Sequence, residues 1–171
     1  MANTLIYIKA MGQSLIKLNK SLGFVKRDVI RNSTEKEINM SKIKYRQAAI
    51  NAVQFIKDKK YISPVEAWFF ATGELFGEGS WGQKKGCPRT AFLGLCEEGY
   101  IKGIPQGRYN TKENSLNKKY AITTADLFRK EPGLVNEDSK ILWSIVTEGK
   151  KIKSNYQVDI VKVLWENNLI E

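Results

Sequence analysis

Residues 82–103, GQKKGCPRTAFLGLCEEGYIKG, decide how this chain is to be read. Gly-Cys-Pro-Arg marks a helix start, because a first-turn N–H has no intrahelical partner and proline loses nothing by lacking one. The apolar run AFLGLC follows, and Glu-Glu-Gly closes it with a glycine suited to a left-handed cap. The stretch predicts a short core helix opened at Pro88 and ended at Gly99. Residues 100–104 are expected as a short strand or extended arm. The polar turn PQGRYNTKENS comes after them.

Helix signals continue on both sides. Upstream, Ser63-Pro64-Val65-Glu66 combines a capping serine, a first-turn proline and a capping-box glutamate. That helix should run to about Gly77, where the loop GEGSWGQKKG begins. Before it, Tyr45, Ala48, Ala49, Ala52, Val53 and Ile56 form one apolar face of a helix over 43–58. Downstream, Tyr120, Ala121, Thr124, Leu127 and Phe128 show helical spacing until Pro132-Gly133. A further helix is expected over 137–147. The last one starts at a second capping box, residues 154–157, and fades at Asn167-Asn168.

Two endings, LCEEGYI and LWENNLI, superpose at an offset of 69, with Leu95 on Leu164, Glu97 on Glu166 and Ile101 on Ile170. The predicted fold is therefore mostly α. It is a single compact helical domain over 43–171, built from two helix–loop–helix units, with a short β-hairpin or arm near 100–109.

The N-terminal part reads differently. Ile8, Met11, Leu15, Leu18, Leu22, Val25 and Val29 alternate spacings of three and four, the stripe of an amphipathic helix. Residues 1–30 are expected as a basic amphipathic helix, broken at Gly23, since a glycine costs about 1 kcal/mol relative to alanine. Residues 31–42 carry no apolar period and read as a linker. Residues 1–60 hold 13 Lys/Arg against 4 Asp/Glu, while the rest is nearly neutral, within a formal net charge of +10. Such a balance points to an acidic partner: nucleic acid, an anionic surface or an acidic protein. A lysine-rich composition overall is the competing cause.

Composition also excludes chemistry. The chain has no histidine and two cysteines. Ser-His and Cys-His pairs and the common zinc sites are thereby ruled out. Two cysteines give no disulfide framework, and a reducing, cytoplasmic setting is expected. No apolar run approaches the ~20 residues of a membrane span. The first residues lack the small-residue cleavage site of a secretory signal.

From Tyr45 onward, YRQAAINAV, SPVEAW, KGCPRTAFLGLCEEGYIKGIP, NKKYAI and QVDIVKVLWENNLI together resemble an uncharacterised family of small bacterial proteins, a domain of unknown function. The likeness covers residues 45–171. It implies a bacterial, cytosolic protein or a mobile-element relative, and supplies neither an activity nor catalytic residues.

Candidate sites come from the residues themselves. Lys84, Lys85 and Arg89 flank the helix start at Pro88, and Lys150, Lys151 and Lys153 precede the last helix. A helix N-terminus favours anions, so both clusters could hold phosphates. A helix-turn-helix reader is disfavoured, because the connecting loop is longer than the three or four residues such a unit uses. Cys87, beside three cations, could be a reactive thiol, but no histidine serves as its base and a plain helix-start residue fits better. Glu66, Glu74 and Glu78 are weak candidates for paired carboxylates, and Glu148-Gly149-Lys150 a weak nuclease-like motif. The expected function is non-catalytic nucleic-acid association through the six cations. The alternative is a protein–protein interaction or regulatory module using Ile8, Met11, Leu15, Leu18 and Leu22, which could also mediate homo-oligomerisation. An enzyme comes third. No catalytic residue, metal or cofactor is expected.

Overall fold

The structure, a computed structural model, describes the backbone of residues 2–60 and 63–171, and the side chains of residues 30–60 and 63–171. The described residues form α1 (Ala2–Lys57), α2 (Pro64–Phe76), α3 (Trp81–Lys84), α4 (Gly86–Glu97) and α5 (Leu116–Lys130). A 3-10 turn (Pro132–Asn136), α6 (Ser139–Val146) and α7 (Gln157–Glu166) complete the chain. Two compact units divide it, Met1–Met40 and Ser41–Glu171.

In the first unit the sequence reading needs two corrections. Neither the break at Gly23 nor the linker over 31–42 is present, for α1 is helical through both. One glycine penalty does not break a long helix. The missing apolar period of 31–42 means only that no face is buried there, not that no helix forms. Local bonds suit the helix: Ser33 and Thr34 hydroxyls donate to the Ile30 carbonyl, and Arg31 pairs with Glu35 one turn on.

The second unit holds the core. Its central element is α4, whose residues 91–97 are all buried. It packs against α2, α5 and α7. Tyr45, Ala48, Ala49, Ala52 and Val53 bury the predicted face of α1. Trp68 of α2 stacks on Phe92 at 5.0 Å and lies parallel to Tyr45 at 6.5 Å. Each such side chain, fully buried, contributes about 1.5–3 kcal/mol. Polar ties reinforce this end of α1: Lys42 pairs with the buried Asp159 at 3.0 Å and Arg46 with Glu166 at 2.5 Å. Two of the N-terminal cations are thus consumed internally.

The helix starts follow the sequence in part. Ser63 caps α2 by accepting from the Val65 N–H, with Pro64 in the first turn, and α2 ends at Gly77. Asp138 caps α6. Helix α4 begins at Gly86, so Pro88 is its third residue rather than its first. The expected capping box at 154–157 is absent, and α7 starts at Gln157 after Tyr156 in a left-handed conformation, φ 71°. Gln157 reaches back, but not to Ser154. It accepts from the Asn155 N–H and donates to Asn117 at the head of α5, each at 2.8 Å.

The two similar endings behave alike. After α4, the Tyr100 N–H bonds to Leu95 O and the Gly99 N–H to Cys96 O. After α7, the Leu169 N–H bonds to Leu164 O and the Asn168 N–H to Trp165 O. Both are Schellman closures with a left-handed residue, Gly99 (φ 73°) and Asn168 (φ 54°). The two exits then meet in one antiparallel bridge, Ile101 to Ile170. The Lys102 N–H donates to Leu169 O and the Glu171 N–H to Tyr100 O. No β-hairpin forms near 100–109; the chain there makes only this one bridge, with Ile170. No longer strand forms among the described residues.

Close approach of α4 to α5 needs Gly94, where a Cβ would lie 2.9 Å from Lys118 Cβ and 3.1 Å from its Cα. Gly94→Ala is therefore expected to cost about 2 kcal/mol, in the range of overpacking. Gly86→Ala, where a Cβ meets nothing within 4 Å, should be neutral or stabilising by up to ~1 kcal/mol. Urea denaturation of the two variants checks the contrast.

Candidate nucleic-acid interface

The short helix α3 carries the most unusual surface feature of the second unit. Trp81, its first residue, is 91% exposed. The rest of α3 is firmly held. Gln83 is buried, accepts from the Gly79 N–H at 2.7 Å and donates to Phe69 O at 3.1 Å. The Gln83 amide passes so close to α2 that a Cβ on Gly73 would lie 2.8 Å from it, which explains a glycine inside that helix. Ser80 caps α3 by accepting from the Gln83 N–H. The Tyr45 hydroxyl donates to Gly82 O at 2.7 Å. Burial, then the neighbouring Tyr156 and Cys87, push the Tyr45 phenol well above its ordinary value, so it stays a donor at neutral pH. Trp81 stands on a rigid pedestal.

Around it lies a mixed aromatic and cationic face. A cavity of about 400 Å³ is lined by Tyr45, Phe76, Trp81, Lys85 and Tyr156, among others. Tyr45 sits 4.5 Å from Phe76 and 5.0 Å from Tyr156. The Lys85 ammonium lies 4.8 Å over the Tyr156 ring, and that of Lys44 5.2 Å over Phe76. Each is a cation–π contact that leaves the charge beside the aromatic surface.

Of the six cations named from the sequence, Lys84, Lys85 and Arg89 lie around the start of α4, with Lys85 at its N-cap, but they do not converge. The adjacent pair Lys84 and Lys85 is split: Lys85 turns to Tyr156, while Lys84 joins Arg89 around a separate cavity of about 300 Å³. Pro88, third in α4, removes one of the amide donors an anion would use there. Lys150, Lys151 and Lys153 are exposed in the segment before Tyr156, not in the first turn of α7. Lys150 pairs with Glu148 at 3.0 Å. Ile8, Met11, Leu15, Leu18 and Leu22 lie outside the residues whose side chains are described.

Trp81, Phe76, Tyr156 and Lys44 were not singled out by sequence reasoning. One signal was available for Trp81: a large aromatic in a glycine-rich polar loop has no helix face to bury against. Tyr156 and Lys44 carry no such mark, since their partners are distant in sequence.

The other candidates resolve into structure. Cys96 is buried in the core, where burial pushes its thiol up, and Cys87 is half-buried nine positions earlier in α4. Glu66, Glu74 and Glu78 are exposed, and Glu148 follows α6 in a left-handed turn. A cavity of about 570 Å³ is lined by Glu97, Glu98, Glu113 and Lys118 with the loop around Arg108. Its innermost carboxylate, Glu97, accepts from the Tyr109 and Thr111 N–H groups, the Thr111 hydroxyl and Lys118. Lys118 also pairs with Glu98 at 2.6 Å. Burial pushes the Glu97 carboxyl up, but Lys118, the Thr111 hydroxyl and the two backbone donors outweigh it and hold it at about 2. A carboxylate so engaged is a clasp for the 105–111 loop, far from the near-neutral value of a working acid or base.

No group of three or more potential metal ligands occurs among the described residues. Nor is any helix among them long and apolar enough to cross a membrane.

Fold and site together define a small, mostly helical domain that presents a cationic aromatic face. Residues 40–171 match a family of unknown function, DUF6979, and the chain belongs to that family. No curated protein and no solved structure matches it.

The clasp has a pH signature. Unfolded, Glu97 takes up a proton near the ordinary carboxyl value; folded, it resists until about pH 2. Its contribution, on the order of 2–3 kcal/mol, is complete above the unfolded value and is lost as pH falls toward the folded one. Urea unfolding from neutral pH down to about pH 2 should show that loss. Glu97→Gln should cost about 2–3 kcal/mol at neutral pH and flatten the acid limb.

Proposed function

We propose that this protein binds nucleic acid without catalysing a reaction on it, and that it takes a single strand across the Trp81 face. The observation carrying this reading is the bare Trp81 indole on the anchored α3 backbone, with Lys85 in the same cavity wall and Lys44 over the ring of Phe76 in that wall. An indole left in water forgoes the burial that any core position would give it. Against a nucleobase it gains about 1–3 kcal/mol by stacking, whatever the base. The lysines beside it suit phosphates on the same strand, and the exposed Lys151 and Lys153 precede Tyr156 in the chain. The basic N-terminal unit adds long-range attraction. Free cysteines fit a reducing, cytoplasmic setting, where such a partner is at hand.

A second reading rests on Ile30, Ile38 and Met40, each at least 50% exposed in the first unit. It makes that unit a protein-interaction element. Binding of that kind would tolerate salt and fail on Leu15→Lys.

Fluorescence anisotropy with a labelled single-stranded oligonucleotide across a salt series separates them. Trp81→Ala is expected to weaken binding about tenfold or more with an unchanged salt slope. Lys85→Ala should lower the slope by about 0.7. Absence of binding at low salt, or unaltered affinity in Trp81→Ala, would overturn the reading.

A further inference from the structure

The cavity between α2 and α4 has no part in the Trp81 face, and we infer that it is a binding site for a small organic carboxylate with an apolar, aromatic-sized body. Two independent features carry this. The first is its apolar lining. Phe69 and Phe70, 52% and 40% exposed, meet edge to face at 5.8 Å, and Val65 joins them in the wall. Phe69, on the outside of the helix, offers an apolar surface that the core does not use.

The second feature is charge. Lys84 and Arg89 line the same cavity, and neither pairs with a carboxylate among the described residues. Trp68, 1% exposed, closes the inner wall, and its indole N–H is buried away from the open space.

These features select a ligand class. Glu66 also lines the cavity, so the site offers two cations against one anion and suits a monoanion rather than a phosphate dianion. A guanidinium holds a planar carboxylate through two parallel hydrogen bonds. The volume of about 300 Å³ is at the small end for ligand sites, which fits a single ring bearing a short acidic side chain. Such chemistry occurs in a free arylalkanoic acid and at the end of a peptide with a C-terminal aromatic residue.

Isothermal titration of the full chain tests the site. The probes are 3-phenylpropionate, its primary amide, and N-acetyl-glycyl-phenylalanine as acid and as amide. Each acid is expected to bind about tenfold or more tightly than its amide. Arg89→Gln and Phe69→Ser should each weaken acid binding by a similar factor. Both positions are at least partly exposed, so thermal melts should stay close to wild type, and Lys44→Ala should leave binding unchanged. The Trp68 indole N–H resonance, assigned through Trp68→Phe, should move on saturation. Tighter binding by the free acid or by the peptide acid identifies the source, and either supports the site. The inference is overturned if no acid binds at millimolar concentration, if amides bind as well as acids, if Arg89→Gln has no effect, or if the Trp68 resonance stays fixed. None of these outcomes depends on nucleic-acid binding.

Discussion

Burial of α4 is the constraint that the rest of the second unit obeys. Seven consecutive residues, 91–97, are buried. A helix hidden on every side needs neighbours on every side, and α2, α5 and α7 supply them. Small residues make this possible. Gly94 lets α5 approach, and the alanines of α1 bring that helix against the same core. The helix also carries a charge inside: Glu97 is tolerated because Lys118, Thr111 and two backbone amides meet it. One buried carboxylate thereby fixes a loop that has no regular secondary structure of its own.

The two ends of α4 transmit this order to different places. At its C-terminus the Schellman closure sends the chain into the bridge between Ile101 and Ile170, where it meets the equivalent exit from α7. Equivalent positions in two similar endings thus bond to one another. At its N-terminus α4 follows directly from α3, which Gln83 and Tyr45 tie to α2 and α1. The rigidity of the Trp81 pedestal is inherited from the core rather than made locally.

Much of the fold was legible in the sequence because its signals are local. Ser63-Pro64, Pro132-Gly133 and Glu98-Gly99 end or begin helices through their own backbone preferences, and the alanine face of residues 45–53 reports its burial by period. The misreadings have a common origin. Residues 31–42 looked like a linker because polarity hides helical propensity when no face is buried. The box at 154–157 failed because α7 starts only at Gln157, whose side-chain oxygen accepts from the Asn155 N–H instead of that of Ser154. The candidate site was less legible still. Lys84 and Lys85 are neighbours in sequence, yet α3 turns them into different cavities. Tyr156 and Lys44 join Trp81 only through tertiary packing, which no spacing rule encodes.

The functional reading rests on one indole left in water on an anchored helix. The most direct measurement is an ¹⁵N–¹H spectrum of the indole N–H groups of the four tryptophans, recorded while a single-stranded oligonucleotide is titrated in. The expected result is a large saturable shift or broadening of the Trp81 signal, with the core indole of Trp68 nearly unmoved. A Trp81 signal that stays in place while oligonucleotide binds elsewhere, or a spectrum unaffected throughout, would contradict the account.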